Sequence, residues 1–361
     1  MVEHWRSSVE FLEKFVAKSA TLTPEENYFS YKGNLYPVAA CQIETLQALE
    51  TFEARADDVI LAGYPKSGTN WVDYILNHLA ITDGKYTAEE VKERLRLEKE
   101  LAMTPRLEFG DPDKLKRMEK LPSRRVIITH LHPNLLPKSI FKNKAKVLVL
   151  FRNPKDTLVS YFHFRNKLSS FPLSSWDAYF IDFMNGKVPG GSYFDYVKAW
   201  DEYIDNENVM VISYEELKEN LYTGIQKMAK FFGFSLTEDE IKSVVKRSTF
   251  EAAKERSLET YGAFGPVLFS KGCVGDWESM FTESQSQAMD KKFDECLAGT
   301  KLGGPFKYCC LAMEKGVSNS EKLSAVPCRD TPAPLTYGDH LPGDRAECTK
   351  SSPETTTNPI L

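Results

Sequence analysis

The chain has 361 residues, 42% of them hydrophobic and 12% aromatic, enough to bury a sizeable core in one large α/β domain or two small ones. Its formal charge of -5 excludes a general nucleic-acid binder, while leaving room for local basic pockets that take small anions. No apolar run reaches the length of a membrane span, and the N-terminal MVEHWRSSVEFLEKF is acidic and amphipathic rather than a signal peptide, so the expectation is a cytoplasmic protein with no membrane partner.

Taken in chain order, residues 1–57 have weak periodicity, and NYFSYKGNLYP reads as a loop over a pocket. Val59-Ile-Leu-Ala62 is then a short continuous apolar run, as a buried parallel strand requires, and it ends at Gly63. The loop Gly63-Tyr-Pro-Lys66-Ser-Gly68-Thr-Asn70 leads into a helix whose apolar positions 71, 72, 75, 76 and 79 share a face. A strand, a small-residue loop and a helix start together offer free amides and a positive dipole end to an anion. Gly63 and Gly68 match the G-x-x-x-x-G spacing, yet Thr69 stands where a nucleotide triphosphatase has its lysine, and the loop's own lysine is Lys66.

From 84 to 123 charge dominates: Glu89 to Glu100 reads as an exposed helix, and TPRLEFGDPDKLKRMEKLPSRR as a surface excursion or lid. Three further apolar runs each end on a polar residue, Val126–Thr129 at His130, Val147–Phe151 at Arg152, and Val209–Ile212 near Tyr214. Helical stretches separate them, including Pro154 to Phe164 and Tyr222 to Phe232. The alternation predicts an α/β fold with a mainly parallel central sheet flanked by helices, and ligands in such sheets sit outside the carboxyl ends of the strands. Lys66, His130, Arg152 and Tyr214 would converge there. Residues 237–256 and 283–298 read as helices around YGAFGPVLFSKGCVGDWESMF, a loop rich in glycine and aromatics that can fold over a ligand. Residues 1–308 are expected to form one domain, and the Pro/Ser/Thr-rich 309–361 a disordered tail. The seven cysteines form no C-x-x-C pair and no metal-ligand cluster, which fits a reducing compartment and a site without metal. His4, His78 and His340 are isolated and read as solvated or helix-surface residues.

Four segments carry a family resemblance: YPKSGTNW at 64–71, THLHPNLLP at 129–137, FRNPKDTLVSYFHF at 151–164 and KGCVGDW at 271–277. In order and spacing, over about residues 30–308, they resemble the cytosolic sulfotransferases, with a 6B-like branch as the subfamily. The resemblance implies a P-loop-like fold that transfers a sulfuryl group from 3'-phosphoadenylyl sulfate to a hydroxyl or amine of a small molecule. It implies His130 as general base and Lys66 on the oxygen that gains charge as the S–O bond breaks. The loop amides of Ser67, Gly68 and Thr69 would surround the 5'-phosphate, with Asn70 beside them in the nucleotide site, Arg152 and Ser160 would hold the 3'-phosphate, and Trp71 and Phe250 would sandwich adenine. Tyr214, Ser248 and Thr249 would line the same nucleotide site, with Ser270, Lys271 and Gly272 in the closing loop. His132, where the family usually has proline, is assigned no role. Phe109, Phe164 and Tyr261 suggest an aromatic acceptor pocket suited to a phenol or other hydrophobic alcohol.

The chain departs from the family pattern at three places. Ile128 replaces a lysine two residues before the histidine, Ser270 replaces an arginine in the last motif, and of the dimer-forming segment only Thr282 survives, which leaves the oligomeric state open. A catalytically weak nucleotide-binding pseudoenzyme is the alternative these departures motivate. A P-loop small-molecule kinase would need a lysine next to Gly68, where Thr69 stands.

Overall fold

The computed structural model of the protein describes residues 6–23, 26–99, 101, 105–168 and 173–304. His4, His340 and the segment 309–361 expected as a tail lie outside these residues. NYFSYKGNLYP, expected as a loop, pairs instead as an antiparallel hairpin of Tyr28–Tyr31 (β1) with Asn34–Pro37 (β2). The turn explains the difference: Lys32 and Gly33 both have left-handed backbones, φ 47° and 84°, the conformation whose twist suits a two-residue hairpin.

The central sheet is built from Val59–Gly63 (β3), Val126–Thr129 (β4), Lys146–Phe151 (β5) and Val209–Ser213 (β6). Its order is β4-β3-β5-β6 and every pair is parallel. Because side chains alternate along a strand, Ile60, Ile127, Val147 and Val149 enter one core while Val59, Leu61, Ile128 and Leu148 enter the other. Both faces are covered, so the strands read as unbroken apolar runs. At the amino ends, the Arg125 guanidinium grips the Asp58 carboxylate through Nε at 2.7 Å and Nη2 at 2.5 Å, fully buried. Such a pair adds little net stability, but a slipped register would strand two charges in the core.

Helix Thr69–Gly84 packs Trp71, Val72, Ile75, Leu76 and Leu79 onto the β3 face, as its spacing requires. Helix Leu221–Phe232 buries Ile225, Met228, Ala229 and Phe232. Capping boxes start the helices Glu238–Arg247 at Thr237 and Glu283–Leu297 at Thr282. The charged stretch from 105 onward, expected as a surface excursion or lid, is anchored in the core at Leu107, Glu108, Lys114 and Met118. Part of its charge is met inside the protein, while Asp113, Lys116, Glu119 and Lys120 stay exposed. The Lys114 ammonium donates to the carbonyls of Arg106, Leu107 and Phe109, and the chain at 105–107 runs beside β4, with Ile128 N–H on Pro105 O at 2.8 Å and Leu107 N–H on Ile128 O at 3.1 Å.

Candidate active site

The carboxyl ends of β3, β4 and β5 open on one cavity of about 250 Å³, roofed in part by the β1–β2 hairpin. Lys66, His130, Arg152, Ser160 and Tyr214 all line it, as do Gly68, Thr69, Asn70, Trp71, Phe250, Ser270, Lys271 and Gly272. Phe109 and Phe164 line it too. Four expected residues do not. Ser67 is buried behind the loop, its Oγ without a hydrogen-bond partner. The Ser248 carbonyl accepts the Trp71 indole N–H at 2.9 Å, so it orients the ring from behind. Thr249 caps helix Phe250–Tyr261, its Oγ accepting the Ala252 N–H at 3.1 Å. Tyr261 lies on the inward face of that helix with Phe250, Ala253 and Ser257 and stacks on Phe269 at 6.3 Å, in the core rather than in the pocket.

The loop between β3 and its helix is tightly specified. Gly68 has φ 101°, and a Cβ there would come within 2.7 Å of the Tyr214 ring. Ser67 N–H donates to Tyr64 O at 3.1 Å, closing the turn, so of the three amides assigned to the phosphate this one is already engaged. Those of Gly68 and Thr69 belong to a helix start, where no preceding carbonyl receives them. Lys66 also has a left-handed backbone, φ 71°, and its Nζ lies 4.3 Å from the Phe164 ring centroid. Burial, with Arg152 and Lys167 nearby, pulls its ammonium down to about 7.

His130 is oriented by the neighbouring strand end. Its Nδ1 lies 2.7 Å from Gly63 O, and a carbonyl only accepts, so Nδ1 carries the proton and the lone pair of the neutral ring is on Nε2. Burial holds the imidazole below its ordinary value against the opposing pull of the Glu108 carboxylate. Glu108 accepts the His130 amide at 2.9 Å and the Thr129 hydroxyl at 3.0 Å. It lines the cavity, as do Arg106, His132 and His163. Nothing in the composition around Glu108 and Arg106 separates this segment from a solvated one; what marks it is the pairing of 105–107 with β4, which only the fold shows.

Arg152 is buried, its guanidinium 4.5 Å from the Tyr214 ring centroid. Nη1 donates to Lys66 O at 3.3 Å and Nη2 to Cys273 O at 3.1 Å, whereas Nε has no partner. The arginine thus joins the phosphate loop to the segment at 270–277. Gly272 is required there: its φ is 70°, and a Cβ would come within 2.0 Å of the Phe250 ring. Trp71 meets Phe250 edge-on, 5.8 Å between centroids at 80°. Where the last motif lacks its arginine, Lys167 Nζ reaches Ser270 Oγ at 3.1 Å. His78, expected as a solvated or helix-surface residue, sits half-buried on helix Thr69–Gly84: its ring meets Tyr74 at 4.3 Å, and burial pulls it to about 4.

Residues 56–301 match the sulfotransferase domain family. The chain belongs to this family. It is 48% identical to mouse Sulfotransferase 6B1 over 309 residues, covering 84% of this chain and 98% of that protein. It is 47% identical to human Sulfotransferase 6B1 over 303 residues, covering 83% and 96%. The expected 6B-like branch is therefore borne out. Among solved structures, mouse sulfotransferase SULT7A1 complexed with PAP superposes with a TM-score of 0.69 at 29% identity, over 79% of this chain and 99% of that one. The sulfotransferase fold is thus the one that brings Lys66, His130 and Arg152 to a single cavity. Among the described residues, no helix is long and apolar enough to cross a membrane.

Proposed function

We propose that the chain transfers a sulfuryl group from 3'-phosphoadenylyl sulfate to the hydroxyl or amine of a small molecule, a phenol or hydrophobic alcohol first among them. Family membership supports the reaction class. The observation that carries the mechanism is the hydrogen bond from His130 Nδ1 to Gly63 O, which ties the candidate base to the strand that also delivers Lys66. The donor supplies an activated sulfuryl group on a phosphate leaving group. The residues present suit it: Arg152 Nε, which has no hydrogen-bond partner, is a donor for a phosphate oxygen, and the Trp71 and Phe250 rings offer apolar walls for a base.

His130 Nε2 takes the proton from the acceptor hydroxyl as its oxygen bonds to sulfur. Glu108, whose charge favours the protonated imidazole, supports that step. Lys66 meets the negative charge that develops on the bridging oxygen as the S–O bond breaks. A positioned base is worth about 10²- to 10⁴-fold and a charge stabiliser about 10²- to 10³-fold, so the two can supply much of the acceleration. Arg152, Ser160 and Lys271 hold the 3'-phosphate, and the first turn of helix Thr69–Gly84 holds the 5'-phosphate. The test is purified protein with labelled donor and a panel of phenols, sterols and amines. Sulfated product is expected from at least one class. Tight binding of the desulfated nucleotide with no product from any acceptor would instead support a nucleotide-binding pseudoenzyme.

A further inference from the structure

Arg106 stands apart from the cations that the nucleotide reading uses. It is 4% exposed, lines the cavity, and pairs in parallel with Ile128, two residues before His130. Its Nη2 donates to Asn70 Oδ1 at 2.5 Å, while Nε and Nη1 have no hydrogen-bond partner. An arginine cannot shed its charge, so a buried guanidinium with two idle donors is poorly compensated until an anion arrives. The neighbouring acid, Glu108, already receives the Thr129 hydroxyl and the His130 amide. The backbone beneath Arg106 is held by the Lys114 ammonium on the carbonyls of Arg106, Leu107 and Phe109, so the group is set in place before any ligand binds.

Phe109 links this guanidinium to the candidate base. Its ring centroid lies 5.6 Å from the Arg106 guanidinium and 6.4 Å from the His130 imidazole. An aromatic acceptor packed on Phe109 with its hydroxyl at His130 therefore presents a substituent to Arg106. Resting on the sulfotransferase reading above, we infer that Arg106 determines acceptor specificity by binding a carboxylate, so that preferred acceptors are hydroxyl compounds carrying a second, anionic group. A neutral phenol satisfies the Phe109 wall and leaves the guanidinium unpaired, which is the poorer match.

The test compares para-hexylphenol with 6-(4-hydroxyphenyl)hexanoate, in which a carboxylate replaces the terminal methyl group of the same chain. Calorimetry on the full chain loaded with PAP, the desulfated donor, should show wild type binding the carboxylate compound at least about tenfold more tightly. Arg106→Gln should lower that affinity about 10- to 100-fold and shift the neutral phenol by about twofold at most, which also reports an intact cavity. Arg106→Lys, with charge but no fork, should fall between. Equal binding of the two compounds by wild type overturns the assignment. So does an equal loss of both in Arg106→Gln, which would put the guanidinium on the transferring group instead. Turnover of para-hexylphenol with labelled donor, measured alongside, tests the sulfotransferase reading separately, and its failure would leave the binding comparison standing.

Discussion

At Lys66 two unfavourable features coincide, a left-handed backbone and an ammonium whose burial beside Arg152 and Lys167 pulls it to about 7. Both make sense where an anion completes the site, because a bound phosphate restores the charge that burial opposes. Below pH 7 the lysine is charged in both folded and unfolded states and the burial cost is fully present; between 7 and the unfolded value near 10 only the unfolded chain keeps the proton, so this group's contribution to stability rises with pH. Lys66→Met should therefore lower kcat by about 10²- to 10³-fold yet raise the melting temperature of the ligand-free protein at pH 6 by roughly 3 °C or more. The gain should vanish near pH 10. A melting temperature that falls at pH 6 would contradict the burial account. Together with His130, held below its ordinary value by burial, Lys66 also sets the pH profile of kcat/KM for the donor. The acid limb should lie below the usual histidine range as His130 gains its proton, and the alkaline limb near 7 as free Lys66 loses its own. Lys66→Arg should move the alkaline limb upward and leave the acid limb in place.

Among the elements, the segment 270–277 depends on helix Pro154–Lys167. The buried Asp156 carboxylate accepts Gly275 N–H at 2.8 Å and Trp277 N–H at 3.0 Å, with Arg152 4.0 Å away. Asp156→Asn keeps one acceptor and sets an amide donor against the other N–H. The loop carrying Lys271 and Gly272 should loosen, and PAP should bind about tenfold more weakly by calorimetry, since a charged hydrogen bond is worth that much. Unchanged affinity would mean that this clamp does not shape the nucleotide site. The same elements explain what the sequence could reveal. The four central strands were legible because both faces of β3 to β5 are covered, which leaves unbroken apolar runs. Site residues were legible where they terminate those runs, as His130 and Arg152 do. Where a segment earns its place by satisfying charges internally, as 105–125 does through Lys114, local composition looked like solvent-facing surface. Ser248 and Tyr261 do not line the cavity, and motif adjacency does not distinguish a residue that faces it from one behind it.

Over the whole molecule, the sheet gathers separate strand ends and fixes them to one another. Glu215, behind the cavity, accepts Asn153 N–H at 3.0 Å and so ties the ends of β5 and β6; burial pushes its carboxyl up to about 7. Between pH 4.5 and 7 the folded chain keeps a proton that the unfolded chain has lost, so this group favours the folded state less as pH rises. Relative to wild type, Glu215→Gln should gain stability across that window, by up to roughly 3 kcal/mol at its upper end, in urea unfolding at a series of pH values. A difference independent of pH would show that Glu215 is ionised throughout. The sheet also joins the strand of Lys66 to the strand of His130 through Gly63 O, and the proposed proton transfer depends most directly on that junction. The measurement is transfer from labelled donor by His130→Ala, with PAP affinity determined on the same preparation. In His130→Ala, kcat should fall by about 10²- to 10⁴-fold with PAP bound as tightly as by wild type. Transfer at the wild-type rate with the donor bound would contradict that proton transfer.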